Sequence, residues 1–164
     1  MLPGFYNHNY QIVQTPGYVM LLIEMIHDVR IIPTMKAGGS ARPHLSPNLQ
    51  QWLGDSRGRW EGHTLVVETK NIYPGRELRP SRTVMGGAEK LTLVERFTPV
   101  DASTIDYQYT VTDPEMFTKP WTVSSPMSRA DLQIFEYACH EGNHAIGNTL
   151  RGARLEEQEA AGKR

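Results

Sequence analysis

The sequence predicts an all-β protein: an antiparallel meander that closes into a barrel or a strongly curved sheet, followed by one terminal helix. Three observations carry this. About eight short runs rich in Val, Ile, Leu, Thr and Tyr recur at hairpin-like spacing. Turn signals such as Thr15-Pro16-Gly17 and Pro99-Val100-Asp101 separate them. Neither βαβ alternation nor a phosphate loop nor an internal repeat is present, and helix-like composition begins only after Asn143.

The elements follow in order. The lead-in over residues 1–10 is irregular and aromatic. Tyr10 to Gln14 and Tyr18 to Ile23 are strand-like, with the Pro-Gly turn between them. The second run continues through His27-Asp28 to Ile32 and stops at Pro33, which predicts one long bent strand or two strands joined at His27-Asp28. Residues 34–51 and 71–90 read as loops rich in Gly and Pro. Trp52 to Gly62 reads as a turn opening the strand His63 to Thr69, with Leu65 and Val67 on one face and Thr64, Val66 and Glu68 on the other. Leu91 to Thr98 is a strand. Thr104 to Thr112 alternates cleanly, with Ile105, Tyr107, Tyr109 and Val111 sharing a face. Trp121 to Ser125 and Gln133 to Cys139 complete the strands. Ala145 to Ala161, rich in Leu, Ala, Glu, Arg and Gln, is the mostly polar terminal helix. No domain boundary interrupts the chain, so residues 1–164 read as one domain.

Composition narrows the function. The chain has 164 residues, 39% hydrophobic and 21% charged, enough for a soluble domain with a real core. A net charge of −1 offers no basic surface for nucleic acid or an anionic membrane. Cys139 is the single cysteine, so neither an internal disulfide nor a thiolate zinc cluster forms within one chain. The longest apolar run, Val19 to Ile23, is about a quarter of a membrane span. The N-terminus lacks the charged and apolar regions of a signal peptide, so the chain as given reads as soluble and cytoplasmic.

Three blocks stand out: Asn9 to Pro16 through Ile26-His27-Asp28-Val29-Arg30; Arg42-Pro43-His44 with Gly54-Asp55-Ser56-Arg57-Gly58-Arg59-Trp60-Glu61-Gly62; and Tyr137-Ala138-Cys139-His140-Glu141-Gly142-Asn143. In these the chain resembles a large bacterial family of largely uncharacterised, lipocalin-like β-barrels, over most of residues 3–154. Many members of that family are longer at the N-terminus, with a signal peptide and a Gly-x-Trp strand. By that resemblance this chain is either a short cytosolic branch or a truncated form whose open barrel edge a partner chain covers. The resemblance also implies a link to lyase steps, including loss of a carboxylate, in the breakdown of lignin-derived aromatic dimers.

Several residues can carry such chemistry. Arg30 interrupts an apolar run, where a cation needs a partner. Either it clamps a substrate carboxylate, with His27 moving the proton, or it pairs with Asp28 and His27 bonds within the sheet. His44 is a loop histidine, exposed or substrate-facing. Glu61 beside Trp60 is either a general acid raised by the indole or part of a turn. Glu68 reads as strand surface. Read as a strand, the C-terminal cluster splits: Glu136 and His140 share one face as an acid–base couple, and Tyr137, Cys139 and Glu141 lie on the other. Tyr137 is placed to protonate a departing phenolate, and Cys139 is a packing residue. Tyr6 and Tyr10 line a barrel mouth or simply pack, and Tyr107 and Tyr109 are core or cavity lining.

The leading expectation is thus a cofactor-independent lyase of decarboxylase type for a small carboxylated aromatic compound, with His27, Arg30, Glu136, Tyr137 and His140 as its machinery. Two alternatives stand beside it. One is a metal-dependent enzyme in which His27, His44 and His140, with Glu136 or Glu141, bind a divalent metal, although no diagnostic ligand spacing is present. The other is a non-catalytic barrel for a small apolar ligand. A homo-oligomer is compatible with each.

Overall fold

The computed structural model describes residues 8–35, 42–73, 90–138 and 140–162. The strands are β1 (Tyr10–Thr15), β2 (Tyr18–Ile23), β3 (Val29–Met35), β4 (Asp55–Glu61), β5 (Thr64–Lys70), β6 (Thr92–Pro99), β7 (Thr104–Thr112), β8 (Trp121–Ser124) and β9 (Met127–Ser128). They form one curled sheet, a half-barrel, in the order β1-β2-β3-β4-β5-β6-β7-β8, with β9 on β7. One helix follows, α1 (Ala145–Gly162). The all-β class, the strong curvature and the terminal helix are therefore as the sequence predicts.

Turn chemistry explains the meander. Pro16 and Gly17 join β1 to β2, and Gly17 takes φ +83, which glycine adopts at no steric cost. The apolar stretch after Tyr18 resolves into two strands. A short 3-10 turn (Met25–His27) separates them, with Ile26 at φ 60 and His27 at φ 45. The ladders are antiparallel except β3 with β4, which pair in parallel through Thr34↔Gly58 and Met35↔Arg59. A parallel pair needs a crossover, which the connection between Met35 and Asp55 supplies.

The concave face holds the core. Val19, Leu21, Ile32, Leu65, Val67, Phe97 and Tyr107 pack together, and Ile72, Leu91, Leu93 and Val111 form a second cluster. Burying a side chain of this size is worth about 1.5–3 kcal/mol, so these clusters dominate the stability of the sheet. Strand β2 is apolar on both faces, and β3 also turns apolar residues outward, leaving Tyr18, Val29 and Ile31 on the surface.

Two expectations are corrected. Residues 52–62 are not mainly a turn, because β4 is a full strand from Asp55. Small Ser56 and Gly58 turn inward with Trp60, while Asp55, Arg57, Arg59 and Glu61 turn outward, and those outward charges obscured the alternation. The expected strand from Gln133 to Cys139 does not form over its described residues, 133–138, which follow an irregular course. The apolar run has strand composition, but pairing depends on a strand edge being laid beside it, which local pattern does not encode. Cys139 lies outside the described residues. Helix α1 caps on Asn143, whose Oδ1 accepts the Ala145 N–H at 3.1 Å, and it buries none of its residues.

Candidate active site in the concave face

Five adjacent strands each send one polar side chain to the same place on the inner face: Arg30 from β3, Ser56 from β4, Thr69 from β5, Glu95 from β6 and Tyr107 from β7. The Arg30 guanidinium meets Glu95 two-fold, Nη1 to Oε1 at 3.1 Å and Nη2 to Oε2 at 2.6 Å. Nη2 also donates to Ser56 Oγ and Thr69 Oγ1, both at 3.1 Å, and these two hydroxyls bond each other at 2.9 Å. The Tyr107 hydroxyl donates to Glu95 Oε1 at 2.9 Å. The side chains of Arg30 and Glu95 are 3% and 1% exposed, so water screens the pair weakly. Among the described residues, Arg30 Nε alone in this group has no hydrogen-bond partner.

Electrostatics follow the geometry. Burial works against the Arg30 charge, and the Glu95 carboxylate more than restores it, leaving the guanidinium above its ordinary value. Burial, then the charge of Glu95 and its hydrogen bond, push the Tyr107 phenol upward out of the working range. Tyr10 is pushed up to about 12, by burial first and then by Glu95. Both phenols therefore act as proton-bearing hydrogen-bond donors at neutral pH.

This network floors an open cleft of about 910 Å3. Tyr10, Leu21, Phe97 and Ile105 supply apolar and aromatic walls, and residues 125–130 and 132–134 complete the lining. The size and the mixture of apolar, aromatic and polar lining suit a small organic ligand that carries polar groups.

The residues singled out from the sequence scatter. Arg30, Tyr10 and Tyr107 line the cleft. Tyr109 does not line it. It packs into both core clusters, its ring 5.8 Å from Tyr107 and 6.0 Å from Trp121. Arg30 pairs with Glu95 rather than with Asp28. His27 and Glu136 do come together, but as exposed residues flanking a separate shallow groove of about 270 Å3 with Leu22 and Phe135. His140 is exposed in the turn before α1, and Tyr137 is half-buried in the segment leading to it. The Glu136/His140 couple therefore loses its basis, because no strand aligns the two on one face. Tyr6 lies outside the described residues.

His44 sits on the convex side. Its Nδ1 meets Asp55 Oδ2 at 2.8 Å and its Nε2 meets Glu68 Oε1 at 3.0 Å. Asp55 also accepts the Leu45 N–H at 2.9 Å and pairs with Arg57 at 2.5 Å. Both ring nitrogens are thus engaged in clamping the 42–46 segment to β4 and β5, and neither is left for substrate or metal. Glu68 is more than strand surface: it anchors this clamp and pairs with Lys70 at 2.7 Å. The three-histidine metal site is not assembled, and among the described residues no three His, Cys, Asp or Glu side chains are grouped to hold a metal ion.

The reading of Glu61 as an acid raised by Trp60 is also corrected. Trp60 packs inward on the core, whereas Glu61 points outward to Arg96 at 3.0 Å and Arg59 at 2.9 Å. Hydrogen bonds from Arg96, then from Arg59, hold its carboxyl below the usual value.

Sequence reasoning passed over Glu95, Ser56 and Thr69. A signal for Glu95 existed: in Leu93-Val94-Glu95-Arg96-Phe97 a carboxylate occupies the apolar alternating face. None of the known protein families, curated proteins or solved structures matches this chain.

Proposed function

We propose that the protein is a cofactor-independent lyase of decarboxylase type, acting on a small carboxylated aromatic compound held in the concave cleft. The observation that carries this reading is the Arg30–Glu95–Tyr107 network on the floor of a ligand-sized cleft, with Tyr10 on the wall. Aromatic walls suit an aromatic ring. Breaking a carbon–carboxylate bond releases carbon dioxide and leaves an electron pair on carbon, which an acid must quench. Glu95 supplies a carboxylate to take up and return a proton, and Tyr10 supplies a phenol to donate one. Arg30 positions Glu95 through two contacts rather than holding the substrate itself. Roles first sought in His27, Glu136 and His140 pass to Glu95 and Tyr10, which line the cleft with Arg30.

One observation favours a second reading, a non-catalytic ligand-binding half-barrel: both terminal nitrogens of Arg30 already have protein partners, as in a purely structural pair. Carbon dioxide release from a panel of phenolic and benzoic acids separates the two. The expected result is turnover by the wild type and a loss of at least about 100-fold in Glu95→Gln with the fold retained. Binding of these acids with no turnover of any sinks the lyase reading and leaves the binder.

A further inference from the structure

We infer that Glu95 selects ligands by a hydroxyl group, a phenol above all, and that a carboxyl group on the same ligand stays at the open mouth of the cleft. The inference rests on the small-aromatic reading above and adds which end of the molecule enters first.

Hydrogen-bonding capacity at the cleft floor sets this preference. A carboxylate offers about four acceptor positions over its two oxygens. Oε1 of Glu95 receives Arg30 Nη1 and the Tyr107 hydroxyl. Oε2 receives Arg30 Nη2. Among the described residues one acceptor position on Oε2 is thus unfilled, and Arg30 Nε is a buried donor without a partner. Both residues line the cleft. Open capacity at a buried charged group is costly unless a ligand or water fills it. A hydroxyl donates and accepts, so it matches a floor that presents an open acceptor on Glu95 Oε2 beside open N–H groups on Arg30 Nε and Nη1.

Charge excludes the opposite orientation. The Arg30 cation and the Glu95 anion cancel, and Tyr10 and Tyr107 stay neutral. A carboxylate pushed against this floor meets a like charge, has no uncompensated cation to receive it, and loses its water. At the open side of the cleft it keeps its hydration; exposed Arg129, paired with Asp131 at 3.5 Å, also lines the cleft.

The test uses the wild-type protein and four ligands of one shape: a 4-hydroxyphenyl propenoic acid, its 4-methoxy analogue, its analogue with no para substituent, and the 4-hydroxyphenyl alkene lacking the carboxyl group. Dissociation constants come from calorimetry, and carbon dioxide is followed in the same samples. The hydroxyl acid is expected to bind about 10- to 100-fold tighter than the methoxy and unsubstituted acids, and the carboxyl-free phenol to keep most of that affinity. In Glu95→Gln, checked for folding by thermal melting, this preference is expected to collapse to a few-fold. Equal binding of acids with and without the hydroxyl overturns the inference, yet leaves the lyase reading standing if carbon dioxide is released. A hydroxyl preference that survives in folded Glu95→Gln overturns the assignment to Glu95. If none of the four binds, both readings fall.

Discussion

Glu95→Leu, Arg30→Met and the double variant together test the buried ion pair. Glu95→Leu removes both carboxylate oxygens and leaves a guanidinium, 3% exposed, without its counter-charge. Breaking one side of such a pair costs about 3–5 kcal/mol. The Tyr107 hydroxyl also loses its acceptor at 2.9 Å, for about 1–3 kcal/mol. The two costs overlap, because the cleft admits water to part of the site, and a total of about 4 kcal/mol is expected. Against a domain stability of about 5–15 kcal/mol, that brings the fold near its threshold. Arg30→Met costs a similar amount by stranding Glu95. In the double variant no charge remains, and Ser56 and Thr69 still satisfy each other at 2.9 Å. Its cost is expected to be about 2 kcal/mol, mostly from Tyr107, well short of the sum of the single effects. Urea unfolding with unchanged m-values measures all three. Single variants that each cost under about 1 kcal/mol, or effects that add to within about 0.5 kcal/mol, refute the reading of Arg30 and Glu95 as a mutually dependent buried ion pair.

His44→Ala releases two contacts of the convex clamp, and is expected to cost about 1–2 kcal/mol and to speed hydrogen exchange at the Leu45 amide. Gly54→Ala places a Cβ 2.8 Å from the Lys70 carbonyl oxygen at φ +73, so a loss of about 2 kcal/mol or more in thermal or urea unfolding is expected. The hydrogen bond from Lys70 leads the causes holding Glu68 below the ordinary 4.5, so its folded value is depressed. Its contribution is present above that value and is lost as pH falls, and Glu68→Gln is expected to flatten the acid limb of a stability–pH profile. For Tyr107 the folded value is raised above 10.0 by burial first, so its contribution is present below that pH and lost as pH rises. Ultraviolet titration is expected to release its phenolate only together with alkaline unfolding, and Tyr107→Phe removes that step.

Local pattern and long-range pairing explain what could be read from the chain. The alternation of Ile105, Tyr107, Tyr109 and Val111 survives intact in β7, because a period of two needs only backbone geometry and one buried face. The turn at Pro16-Gly17 and the helix after Asn143 are equally local. Residues 133–138 have the composition of a strand but do not form one, because pairing is set by the sheet and not by the run itself. Of the site, Arg30 was visible as a cation in an apolar run. Its partner was not, since Glu95 lies 65 residues away and only the ladder from β3 to β6 brings them together.

The sequence by itself determined most of the strands, the alternating faces of β5 to β7, the Pro16-Gly17 turn and the terminal helix, since each depends on residues a few positions apart, but not β4 or the irregular course of 133–138. Tertiary structure alone decided the half-barrel's parallel β3–β4 junction, the convergence of Arg30, Ser56, Thr69, Glu95 and Tyr107, and the exile of His27, His44 and His140 to the outside. The reason is that a buried charge takes whichever counter-charge the sheet register lays beside it, and register is a property of the whole sheet.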